Sequence, residues 1–196
     1  MPLPPPVARE FLTRRTVTCE GYSRADGLMD IEGHLVDIRG YETNNEWRGC
    51  LKAGEAAHEM WVRLTIDEQR TIIDAVSSTD GAPYPTCREV TPHTQRLVGL
   101  KIVGGFKREL RARIGNTDGC THIIALLDEL AGVAIQALAG SRRDRGIREQ
   151  LSAFEVRDSS RPALLDSCHS YAADSPVVGR LWPMHFRPKG SGQQGS

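Results

Sequence analysis

Long apolar runs are missing from this sequence. Nowhere do about 18 apolar residues follow one another without interruption, so no membrane span is expected. An excess of one charge is missing too: 25 Lys and Arg stand against 25 Asp and Glu, and the pI is near 7.0. That balance argues against a dedicated nucleic-acid or membrane-surface binder, whose counterion release needs a strongly basic face. The opening residues MPLPPPVARE lack a cationic start followed by an apolar core, so they do not read as a signal peptide. No CxxC pair and no internal repeat is present. The five cysteines are an odd number, which does not suit a closed disulfide framework. A cytoplasmic protein with reduced thiols is expected, with those thiols available for metal coordination or chemistry.

What is there is enough for one ordinary domain with trimmings. A chain of 196 residues buries roughly 70% of its unfolded surface, so it needs no disulfide or metal merely to fold. Its central stretch is Asn116 to Gly140, NTDGCTHIIALLDELAGVAIQALAG. Ile123, Leu127, Leu130, Ala134 and Leu138 recur at helical spacing and form one buried stripe. Asp118 is placed as N-cap and Gly140 as the stop. Cys120 then falls in the first turn, where unpaired N–H groups and the helix dipole favour a thiolate.

Residues 1–15 begin Pro-rich and read as a flexible arm, with Thr16 to Cys19 as a short edge strand. The alternation Met29, Ile31, Gly33, Leu35 against Asp30, Glu32, His34 predicts a strand over 28–39. Its polar face suits a solvated sheet side, or else acid–base or cation work. Asn44 to Ala57 reads as loop. Met60, Val62, Leu64 and Ile66 predict a strand over 59–66, and 70–77 returns as its partner. The same period puts His58 on the inward face, with Met60. Turn residues lead to Cys87, after which helices are expected over 87–99 and 105–114. The second also alternates tolerably as a strand. Its Lys107, Arg108, Arg111 and Arg113 make a solvated face or an anion grip. The core domain is drawn as 16–140, followed by a charged connector at 141–150. A strap at 151–186, carrying Cys168 and His169, would pack back on the core, and 187–196 is compositionally disordered.

The segments GYSRADGLMDIEGHLVD, His58–Met60, PYPTC ending at Cys87, GCTH at 119–122 and DSCHSY near the end resemble one bacterial family of unknown function. The resemblance spans about residues 16–185 and brings no settled activity. In element order the chain is also similar to the scaffold proteins of iron–sulfur cluster assembly. That similarity implies an α+β fold in which a position before the first hairpin strand and two later cysteines converge on a metal; here these are His58, Cys87 and Cys120. Two departures stand out: Ala56 and Ala57 occupy the place of the scaffold's first cysteine, and Gly119 stands where its last cysteine is preceded by His.

The expected fold is therefore α+β, a three-stranded antiparallel sheet packed against three helices, the last at 119–139, with the strap added. Zinc or iron would be held by His58, Cys87 and Cys120, with Cys168 or else His169 as a fourth ligand, or with that position open for water or substrate. His122 and His169 would support those ligands. Residues two apart on a regular helix point to nearly opposite sides, so Cys120 and His122 could serve one atom only in an irregular first turn. Glu59, or the Asp30/Glu32 face, is the candidate base, and Cys19 and Cys50 read as small apolar residues. Three functions follow: a metal-dependent protein acting on a small organic substrate, a sulfur-handling or cluster-carrying accessory protein, or a metal-free enzyme with Cys120 as nucleophile.

Overall fold

The computed structural model describes residues 3–144, 161–162 and 164–188. The chain divides into two compact units, 1–141 and 142–196. In the first, β1 (Thr13–Ser23), β2 (Met29–Arg39), β5 (Ala56–Ile66) and β6 (Ile72–Gly81) form one antiparallel sheet in the order β1-β2-β5-β6. The strands β3 (Thr43–Asn45) and β4 (Gly49–Leu51) make a small hairpin between β2 and β5. The main sheet thus has four strands rather than the expected three. β1 pairs with β2 along its whole length, from Thr13 opposite Arg39 to Ser23 opposite Met29. Its alternation was hard to read because an edge strand lies largely exposed on both faces.

Alternation fixes which face is covered. Met29, Ile31 and Leu35 of β2 and Met60, Val62, Leu64 and Ile66 of β5 are buried in the core. The helices α1 (Phe106–Ile114) and α2 (Thr121–Asp144) cover that face, contributing Phe106, Leu110 and Ile114 and then Ile123, Leu126, Leu127, Leu130, Ala134 and Leu138. α2 lies close enough to need glycine beneath it. A Cβ on Gly33 would come within 2.7 Å of Leu126, and one on Gly21 within 2.7 Å of Ala137.

Two helix expectations change. Instead of a helix at 87–99 there are two 3₁₀ segments, Pro85–Arg88 and Thr91–Leu97, each with a proline in its first turn. Two prolines within eight positions remove the donors a continuous α-helix would use there, and short i→i+3 turns result. α2 also runs past Gly140 to Asp144, because nothing at Gly140 adopts the left-handed conformation that ends a helix. Its window Thr121–Leu138, with mean hydropathy 1.4, is long and apolar enough to cross a membrane by length and composition. Here its apolar stripe lies on the sheet.

In the second unit, α3 (Pro176–Leu181) is capped by Ser175, whose hydroxyl accepts from the Val178 N–H at 3.1 Å. Val178 and Trp182 are buried, with the Tyr171 ring 5.3 Å from that of Trp182. Cys168 and His169 are exposed in this unit, at the start of a 3₁₀ turn. Residues 145–160 and 189–196, which hold most of the connector, part of the strap and most of the tail, lie outside the described residues.

Candidate functional site

Sheet register builds the first half of the site. Arg15, Asp37 and His58 are direct neighbours across β1, β2 and β5, all on the helix-covered face. Arg15 Nε and Nη2 each donate to one Asp37 carboxylate oxygen at 2.7 Å, a bidentate pair. His58 Nδ1 lies 3.1 Å from Asp37 Oδ2.

The turn before α2 supplies the second half. Asp118 does not cap the helix. It ends a 3₁₀ turn, its carboxylate pairs with Arg96 at 3.0 Å, and its carbonyl accepts from the His93 ring at 2.6 Å. Gly119 follows, packed so closely that a Cβ would lie 1.8 Å from the Ile114 carbonyl oxygen. Cys120 is therefore the residue immediately outside the helix, and its carbonyl accepts the first helical bond, from Ile124 at 2.9 Å. A residue in the cap position folds its side chain back over the first turn. That is how Cys120 Sγ comes within 3.7 Å of His122 Nδ1, although the two are only two positions apart.

The halves meet at Asp37. His122 Nε2 lies 3.4 Å from Asp37 Oδ2, and the His122 and His58 rings stack with centroids 3.9 Å apart at 28°. Asp37, His58 and His122 each offer a ligand atom within 4.8 Å of the others. Sequence reasoning missed Asp37 and Arg15. The period-two phase that turned His58 inward also turns Asp37 inward two residues past Leu35, so that signal was present.

Charge at the site follows from these contacts. Burial pushes the Asp37 carboxyl up, but the Arg15 hydrogen bonds and charge, with His58 and His122, outweigh it and hold the group below its ordinary value. Burial holds His58 below 6.5, against the pull of Asp37 and with the help of Arg15 and Arg39. Burial raises the Cys120 thiol, yet the His122 ring and the backbone N–H groups of Ile123 and His122 bring it below its ordinary value. Cys19 and Cys50 go the other way, Cys19 through burial and Cys50 chiefly through Glu42.

The far face of the sheet holds others of the expected residues. Glu59 follows His58 on β5 and so faces the opposite side of the sheet, where it meets His34 Nε2 at 3.1 Å. His34 in turn stacks on Trp61 at 3.6 Å. Asp30 and Glu32 share that far side, paired with Arg24 and Arg63. Cys87 sits in the 3₁₀ segment after β6, and neither it nor Cys120 belongs to the ligand-atom group. Cys168 and His169 lie in the second unit.

An antiparallel sheet that carries an arginine–carboxylate–histidine row, its carboxylate and imidazole half-buried, beside a Cys and a His at the start of a helix defines an α+β domain with a built polar centre. The family model described as a protein of unknown function (DUF2889) matches residues 13–136, more than half the chain. The chain belongs to that family, and every member of the polar centre falls inside the matched span. No curated protein and no solved structure matches the chain, so the similarity in element order to iron–sulfur scaffolds gains no support from either comparison.

Proposed function

We propose that the protein is a thiol-dependent enzyme acting on an activated acyl group of a small molecule, with Cys120 as nucleophile. One observation carries this reading: His122 stands between a thiol and a carboxylate, 3.7 Å from Cys120 Sγ and 3.4 Å from Asp37 Oδ2. An ionised carboxylate only accepts, so Asp37 selects the tautomer with hydrogen on His122 Nε2. Nδ1 then faces the sulfur as a base. His122 takes the thiol proton, Sγ bonds to the substrate's carbonyl carbon, and the bond to the leaving group breaks. That group departs with the proton held by His122. Water, deprotonated by the same nitrogen, then cleaves the thioester to release the acid and restore the thiol. Distances this long suit a site awaiting substrate.

Iodoacetamide at neutral pH, followed by peptide mass spectrometry, tests the assignment. Cys120 should be modified well before Cys50 and Cys168, although both of those are more exposed. Equal labelling of all five thiols would end it.

A second reading, zinc or iron held by Asp37, His58 and His122, has its own support in the three ligand atoms within 4.8 Å of one another. Two imidazoles and a carboxylate suit either ion. Two features count against it. Arg15 occupies both Asp37 oxygens, and near-parallel stacked rings aim their lone pairs side by side rather than at a common point. Metal analysis of untagged protein decides: less than about a tenth of an equivalent after zinc or iron supplementation would remove this reading. Cluster carriage draws no support from a ligand group that lacks sulfur.

A further inference from the structure

Nearly every arginine around the site is already engaged. Arg15 holds Asp37, Arg96 holds Asp118 and Arg111 holds Asp128 at 2.6 Å. Arg113 donates to the carbonyls of Arg96 and Val98, so the cationic face of α1 is largely spoken for. Arg39 is different: among the described residues its guanidinium has no hydrogen bond or ion pair. It lies two residues beyond Asp37 on β2, hence on the same face, next along from the Arg15–Asp37–His58 row.

Arg39 also lines a cavity of about 60 Å³ between the end of β2, the β3–β4 hairpin and the start of β5. Arg48 is on the same wall. It is pinned by Nη1 donating to the carbonyls of Ala56 (3.0 Å) and Ala57 (3.2 Å), the two residues before His58. Asn45, also on the wall, spends its side-chain oxygen on the N–H groups of Trp47 and Arg48, so its amide nitrogen is the group left to donate. No carboxylate lines this cavity, and Glu42 of the same hairpin is turned to Cys50. Two guanidinium groups and an amide donor, with no acid to neutralise them, make a wall of donors. The volume is on the scale of one carboxylate or phosphate group. The Arg39 charge reaches the site, since it helps keep His58 unprotonated.

We propose that this cavity is an anion subsite, formed by Arg39 and Arg48, that holds an oxyanion on the substrate while its acyl carbon meets Cys120. The substrates are then acyl compounds bearing a carboxylate or a phosphate. The proposal rests on the thiol reading for the acyl half, and its test separates the two.

Two probes are used on the full chain. The first is the ratio of Cys120 alkylation by iodoacetate to that by iodoacetamide, set against the same ratio for a small free thiol. It should be at least about fivefold higher, should fall with added salt, and should collapse toward the reference in Arg39→Gln. The second is inorganic phosphate, which should raise the thermal midpoint saturably in the natural chain and in Arg39→Lys but not in Arg39→Gln. The two arms also separate carboxylate from phosphate preference. Selective alkylation of Cys120 with a reference-like ratio and no phosphate stabilisation would overturn the subsite and leave the thiol reading standing. Arg39-dependent phosphate binding without selective alkylation would uphold the subsite as an anion site and sink the thiol reading.

Discussion

Asp37 accepts from one guanidinium and lies against two imidazoles, so replacing it should be felt at a sulfur it does not touch. In Asp37→Asn the side-chain amide can present hydrogens to His122 Nε2, which favours the tautomer carrying its hydrogen on Nδ1, toward Cys120. Alkylation of Cys120 at pH 7 should then slow by roughly tenfold or more, and its pH midpoint should rise, as a rate–pH profile would read. A slower rate with an unmoved midpoint would mean that Asp37 only props the fold. His58→Phe separates the two readings: it keeps a ring on His122 and should leave Cys120 selective, whereas a metal site would lose its ion. The same groups set the acid limit of stability. His58 has a folded pKa below 6.5, so its contribution is complete above 6.5 and is lost as pH falls from there through the folded value. Asp37 has a folded pKa below 3.8, so its contribution is complete above 3.8 and is lost as pH falls further through the folded value. Urea midpoints should therefore drop in two stages on acidification, and His58→Phe should flatten the upper stage alone. A single drop below pH 4 in the natural chain would contradict this.

Among the elements, legibility tracked how one-sided each segment is. β2 and β5 alternate sharply because α1 and α2 cover one face and water the other, so 28–39 and 59–66 were readable from period alone, as was the stripe of α2. β1, exposed on both faces, offered little alternation, and its full length emerged only from pairing. The site split in the same way. His58 and Cys120 were nominated by strand phase and helix position. Asp37 and Arg15 needed the register between strands, a relation between residues 22 positions apart. Two glycines give this a quantitative edge. Gly33 sits mid-strand with Leu126 and Leu130 where a Cβ would go, so Gly33→Ala overpacks the core and should cost about 1–3 kcal/mol. Gly132 lies on the exposed side of α2 with nothing within 4 Å of a Cβ, so Gly132→Ala should stabilise by about 0.5–1 kcal/mol. Equal effects of the two substitutions on the denaturation midpoint would mean that α2 does not lie over Gly33.

For the molecule as a whole, the question is what the second unit does for the first. The continuous buried core runs from Met29 to Leu138, and all of it belongs to residues 1–141. The family match ends at residue 136, short of Cys168 and His169. Arg15, Asp37, His58, Cys120 and His122 are brought together by strand register and by the turn before α2, all within the first unit. A chain ending at Ser141 should accordingly unfold cooperatively and retain the rapid, selective alkylation of Cys120. If the ligand role expected for Cys168 were real, the same truncation would instead lower metal content or change the reactivity of Cys120. Rates within about twofold of the full chain would confine residues 142–196 to a role outside the thiol chemistry, such as admitting or choosing its substrate, whereas a loss of tenfold or more would bring Cys168 or His169 back into the site.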